Sequence, residues 1–156
     1  DWLLGILAQE GVAIDPSSRD ALWLALSNLA EAPARERTMT GLTLLLQRAD
    51  LRDAFKPFTI EGPHGALFDA ERDTLDLSEC HGFEMEALMR REAAVAPALA
   101  YIFDRLEERF DGRPTLMLID EAWVFFDHAL FAARLRDWLK TLRKKNVSVV
   151  FATQSL

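Results

Sequence analysis

The sequence predicts an α/β protein, a parallel sheet flanked by helices and preceded by a helical N-terminal segment. Three observations carry this expectation. "TLMLI" (Thr115–Ile119) and "VSVVFA" (Val147–Ala152) are continuous apolar runs of strand length, as expected of strands buried on both faces of a parallel sheet. Each follows a stretch whose apolar residues recur at helical spacing. The first 58 residues hold helical patterns with start and stop signals.

In chain order, "DWLLGILAQEG" reads as the tail of a helix stopped near Gly11. "IDPSSRDALWLALSNLAEAP" offers Ser17 as an N-cap with Asp20 three residues on, then Leu22, Ala25, Leu26 and Leu29 at helical spacing, and Pro33 beyond the end. "RTMTGLTLLLQ" is a third helix, capped by Thr38 or Thr40. "ADLRDAFKPF" is a short fourth, closed by Pro57. No chemistry is visible in these helices, and packing is their plain reading.

From Thr59 to Leu77 the texture changes to a Gly/Pro cluster followed by short strand-like pieces. "GPHG" reads as a plain turn or as a phosphate contact, although it lacks the Lys and the glycine spacing of a P-loop. "HGFEMEAL" alternates Phe83, Met85 and Ala87 against Glu84 and Glu86, a strand-like pattern. In "REAAVAPALAYIFDRLEERFDG", Val95, Ala98, Leu99, Ile102, Phe103, Leu106 and Phe110 make one helical face. Pro97 lies near its start and Gly112 stops it. "HALFAARLRDWLKTLRKKN" is a helix with Phe131, Leu135, Trp138, Leu139 and Leu142 on its inner stripe, stopped by Asn146. The order β-α-β-α-β calls for right-handed parallel crossovers.

Composition narrows the function classes. The 156 residues are half hydrophobic, enough for one domain with a core. A net charge of −7 argues against the whole chain being a general nucleic-acid binder. The single cysteine, Cys80, rules out an intrachain disulfide framework, and His64, His81 and His128 lack metal-ligand spacing. Apolar runs fall short of the roughly 18 residues of a membrane span. The chain starts at Asp1 and ends just after a strand-like run, the expectation for a piece of a longer protein.

Ligands of open parallel sheets bind beyond the carboxyl ends of the strands. Asp120 and Glu121 sit at that end of "TLMLI", and Thr153 and Gln154 at that end of "VSVVFA". If the strands are neighbours, two acids and an amide converge on one edge. An apolar strand ending in Asp-Glu is the Walker B pattern. There the first acid helps hold Mg²⁺ through water and the second orients or deprotonates the attacking water. The structural alternative is that both acids cap the following helix. The run Arg134, Arg136, Lys140, Arg143, Lys144 and Lys145 also has several readings. Its last members complement a helix dipole, act in trans as an arginine finger, or contact nucleic-acid phosphates.

"GPHGALFDAERDTLDLS", "FEMEALM", "RPTLMLIDEAWVFFDH" and "FAARLRDWLKTLRKKNVSVVFATQSL" together resemble the conjugal-transfer ATPases of type IV secretion systems, the TrbE type within the VirB-four-like family. The resemblance covers nearly the whole chain, and "LMLIDEAW", "LRKKN" and "FATQS" at this spacing are its most specific portion. It implies a RecA-like P-loop NTPase: residues 1–58 as a helical subdomain, and 59–156 as a partial RecA-like core with Walker B. It implies ATP and Mg²⁺ as cofactors, Asp120 as the metal-site acid, Glu121 as the catalytic glutamate, and Gln154 as a sensor of the γ-phosphate. Arg143 and Lys144 fall in a motif that family uses at or near subunit contacts. The implied assembly is a homo-oligomer, a hexamer in the parent, with other type IV secretion components at the cytoplasmic face of the inner membrane. Indirect contact with a DNA or protein substrate is also implied.

One departure is plain: no G-x-x-x-x-G-K-[ST] occurs in these residues. The P-loop is expected upstream of Asp1, and the isolated chain is expected neither to bind ATP well nor to hydrolyse it. Without the P-loop strand, Val147–Thr153 would be an apolar edge open to pairing with another chain. The competing function is a non-catalytic protein-interaction module whose acids are helix caps. A phospho-acceptor role for Asp120 lacks the accompanying acids and Lys.

Overall fold

Helix α1, Trp2–Gln9, ends where the Gly11 and Val12 amides turn back to the Ala8 and Leu7 carbonyls. The computed structural model describes residues 2–75, 77, 79–120 and 129–152, with side chains 129–134 outside the description. Two compact units divide the chain at Pro97 and Ala98.

In the first unit, α2 spans Pro16–Glu31 and is capped by Asp15 rather than Ser17: the Ser18 N–H donates to Asp15 Oδ1 (2.7 Å). Pro16 explains the shift, because proline fits the first helical position and pushes the cap one residue earlier. The Ser18 hydroxyl donates to the Ala13 carbonyl (2.8 Å), and Arg48 reaches Ser18 Oγ (3.0 Å), locking this start in place. α3, Met39–Leu45, is capped by Thr38, whose Oγ1 accepts from the Gly41 N–H (3.1 Å). α4, Ala49–Phe55, runs into a 3-10 turn, Lys56–Phe58, around Pro57.

The core of this unit is one cluster: Ile6 and Leu7 from α1, Leu22 and Ala25 from α2, Met39 and Leu42 from α3, with Leu46, Leu51, Ala54, Phe55 and Phe58. Leu7, Leu51, Phe55 and Phe58 are fully enclosed. The helical reading of residues 2–58 therefore agrees with the structure, apart from the cap.

The next stretch does not. No strand occurs between Thr59 and Leu77 among the described residues; Gly65–Phe68 forms a short helix, α5. "GPHG" is a turn folded onto the 3-10 segment. A Cβ on Gly65 would lie 2.1 Å from the Thr59 carbonyl oxygen, so only glycine fits there. The Gly62 N–H is satisfied by Thr59 O (2.8 Å) and that of His64 by Pro57 O (2.9 Å). Amides engaged in this way do not cradle a phosphate. "HGFEMEAL" is not a strand either: residues 81–85 are irregular and Glu86–Met89 is a helical turn, α6. The Glu84 carboxylate accepts from the Glu86 N–H, so a local side-chain-to-backbone bond beside the turn competes with a short alternation.

α7, Glu92–Arg109, carries Pro97 past its first turn. A proline there cannot donate to the carbonyl four residues back, at Ala93. Gln9 Nε2 donates to that carbonyl instead (2.7 Å), and Trp2 Nε1 donates to Pro97 O (2.8 Å). The sequence places no such partner; α1 supplies it through the fold.

The second unit holds the sheet. β1, Thr115–Ile119, pairs parallel with β2, Val147–Phe151, in the register Thr115↔Val147 to Ile119↔Phe151. α8, Ala129–Leu142, connects them and packs on β2. The expected order β-α-β-α-β reduces to these two strands among the described residues. Leu135, Trp138 and Leu142 of α8 are buried, as the inner stripe predicts, and Phe103 stacks on Trp138 at 4.4 Å between ring centroids. The strands are not buried on both faces. Leu116 (63% exposed), Leu118 (70%) and Val150 lie bare, whereas Ile119 and Val147 are buried. Successive side chains point to opposite faces, so a two-stranded sheet covered by helices on one side leaves alternate residues open.

Candidate functional site at the carboxyl ends of the strands

β1 and β2 are direct neighbours, which meets the condition for a common edge. The last ladder bond runs from the Ala152 N–H to Ile119 O (2.9 Å), so Asp120 and Ala152 leave the sheet side by side. Asp120 is exposed at that edge and has interactions of its own. Glu121, Thr153 and Gln154 lie outside the described residues, as does the segment 121–128 on which the helix-cap alternative turns.

The chemistry of the described donor set bears on Mg²⁺. Asp120 offers a hard carboxylate at a strand end, a suitable ligand type. Among the described residues no group of three or more His, Cys, Asp or Glu could enclose a metal. One carboxylate fits an ion that keeps its waters and shares phosphate oxygens, the usual habit of Mg²⁺. It does not fit an all-protein cage.

Arg143 and Lys144 stand elsewhere. With Lys145 they form the 3-10 turn that ends α8, directly before β2, and both are exposed. Because the strands are parallel, this is the amino end of the sheet, opposite Asp120. Five residues at the strand rise separate the two ends by about 16 Å. Within one chain, therefore, these cations and Asp120 do not meet. Asn146 follows in the left-handed conformation (φ 60°), the stop foreseen at this position, and its Nδ2 donates to Gly112 O (3.1 Å). Lys145 is turned inward: Nζ donates to Glu107 O (3.1 Å) and pairs with Glu107 Oε1 (3.3 Å). Lys140 pairs with Asp137, and that hydrogen bond with its charge lowers the Asp137 carboxyl below its ordinary value. The basic run is thus divided: Lys140 and Lys145 are engaged within the unit, and Arg143 and Lys144 project at its surface. The sequence does not reveal Glu107 as the partner of Lys145, since the two are 38 residues apart.

No family model matches the chain. Over all of its length it is 40% identical to a probable conjugal transfer protein TrbE of Sinorhizobium fredii, and it covers 23% of that protein. It is likewise 40% identical to the conjugal transfer protein TrbE of Rhizobium radiobacter, covering 19% of it. The type IV secretion system protein virB4 of Bartonella henselae is 29% identical over 99% of this chain, which spans 20% of that relative. The chain thus spans about a fifth of the length of these relatives.

Proposed function

We propose that this chain, which matches TrbE and virB4 proteins end to end, belongs to a motor ATPase that powers conjugative transfer or type IV secretion. In this reading it carries the metal-side half of a nucleotide site in a RecA-like P-loop NTPase. The observation that carries it is the pairing of β1 with β2, which sets Asp120 at the carboxyl edge of a parallel sheet. That edge is where such sheets receive ligands.

Bound Mg²⁺ with ATP would supply charge neutralisation at the transferring phosphoryl group. Asp120 would help hold that Mg²⁺, through water. Glu121 orients the attacking water and takes up its proton. Gln154 would be the polar sensor facing the γ-phosphate. Arg143 and Lys144, at the far end of the sheet, would serve the site of a neighbouring subunit, where their charge would stabilise the phosphoryl group. The phosphate-binding Gly-rich loop and its Lys come from outside these 156 residues, which contain no such motif. The assembly is a homo-oligomer, a hexamer in the parent, working with other secretion components at the cytoplasmic face of the inner membrane. No helix among the described residues is long and apolar enough to cross that membrane.

The test is ATP hydrolysis by the polypeptide at its relatives' full length. Glu121→Gln should abolish turnover and leave nucleotide binding intact, and Asp120→Asn should weaken the Mg²⁺ dependence. Removing an oriented general base costs about 10²–10⁴-fold in rate. Normal hydrolysis by Glu121→Gln would refute the assignment.

A further inference from the structure

α7 is fastened near both of its ends and interrupted in between. Pro97, its sixth residue, lacks the N–H that would close the helical bond to Ala93 O. A proline so placed is the usual cause of a bend in a helix. The division of the chain into its two compact units falls at the same point, between Pro97 and Ala98.

Two side chains of α1 occupy this interruption. Gln9 Nε2 donates to Ala93 O (2.7 Å), the carbonyl that the proline leaves free. Trp2 Nε1 donates to Pro97 O (2.8 Å), on the proline itself. The donors stand at i and i+7 of α1 and the acceptors at i and i+4 of α7, so each pair shares one face of its helix. The result is a two-point clasp that spans the missing bond. Its base is firm: Ile6 and Leu7, between the two donors, are buried in the core cluster, and the Trp2 ring packs on Phe68 at 5.8 Å between centroids. Further along α7, Lys145 Nζ bonds Glu107 O (3.1 Å) and ties its last turns to the segment before β2. The freedom left to α7 therefore lies at Pro97.

We propose that α7 is a jointed helix and that α1 is the latch that fixes its joint. With Trp2 and Gln9 engaged, α7 keeps one conformation through Pro97. With them withdrawn, Ala93 O loses its donor and α7 bends there. The device is independent of the nucleotide reading.

Spin labels read the joint directly, by electron–electron distance measurement on the chain with Cys80→Ser. Glu92→Cys and Arg109→Cys place them at the two ends of α7, where both residues are exposed. The otherwise wild-type chain should give one narrow distribution near the length of an 18-residue helix, about 27 Å. Trp2→Phe with Gln9→Met removes both donors and keeps the ring and the chain length. It should broaden the distribution about twofold or more and shift its mean to shorter distance. Gln9→Met alone leaves the Trp2 bond in place and should broaden it less, which keeps the test open if the double variant folds poorly. Adding Pro97→Ala returns an N–H to Ala93 O and should restore the narrow distribution with the latch still absent. A distribution already broad with the latch intact, latch variants as narrow as that chain, or broadening that survives Pro97→Ala would each overturn the proposal.

Discussion

Residues 2–58 gather most of their apolar side chains into one enclosed cluster, although Trp23, Leu24 and Leu44 stay outside it, whereas the strands at 115–119 and 147–151 leave theirs half open. In the first region four helices and a 3-10 turn surround Phe55 and Phe58 completely. In the second, Leu116 and Leu118 face outward from a strand that is otherwise as apolar as any in a buried sheet. The difference teaches that the same apolar content serves two ends: a core that is complete in itself, and a sheet with one finished face.

The sharpest way to break this contrast is a pair of substitutions measured by chemical denaturation. Phe55→Ala should cost about 3–5 kcal/mol, since it opens a cavity in an enclosed core. Leu118→Thr should change stability by no more than about 0.5 kcal/mol, as at other exposed sites. Equal costs would mean that the bare face is covered in solution. Gly65→Ala should come next, at about 1–3 kcal/mol, because its new methyl would press on the Thr59 carbonyl.

Gln9→Ala should cost about 1–2 kcal/mol by leaving Ala93 O without its donor. Pro97→Ala restores a backbone N–H to that carbonyl, so the Gln9 effect should shrink in the Pro97→Ala background. A full-sized effect there would show that Gln9 acts by packing and not by replacing the missing amide.

The smallest effect concerns Asp69. Burial pushes its carboxyl up, but hydrogen bonds from the Thr40 hydroxyl and N–H outweigh that, and the net shift is downward from 3.8. A carboxyl lowered in the folded state stabilises the protein above its unfolded value and loses that contribution as it protonates. Thr40→Val should therefore cost about 1 kcal/mol at neutral pH. The gap from wild type should close as the pH falls below 3.8. A gap independent of pH would assign the cost to packing alone.

The helices of the first unit were legible because each carries its own start signal and stripe. The cap at Asp15 in place of Ser17 shows the limit of that: both stand in one turn, and Pro16 decides between them. The pairing of β1 with β2 was legible too, as two apolar runs joined by one amphipathic helix. The bare face was not, since an apolar strand reads the same whether one or two layers cover it. "HGFEMEAL" misled because five alternating residues satisfy a strand pattern that a local bond from the Glu86 N–H to the Glu84 carboxylate competes with. Of the candidate site, the structure describes Asp120 and the edge it occupies; Glu121 and Gln154 lie outside the described residues.

The placement of Arg143 and Lys144 at one end of the sheet and Asp120 at the other has an electrostatic consequence. Their separation of about 16 Å exceeds the screening length of roughly 8–10 Å in physiological salt. Inside a single molecule the two poles are therefore electrically deaf to each other.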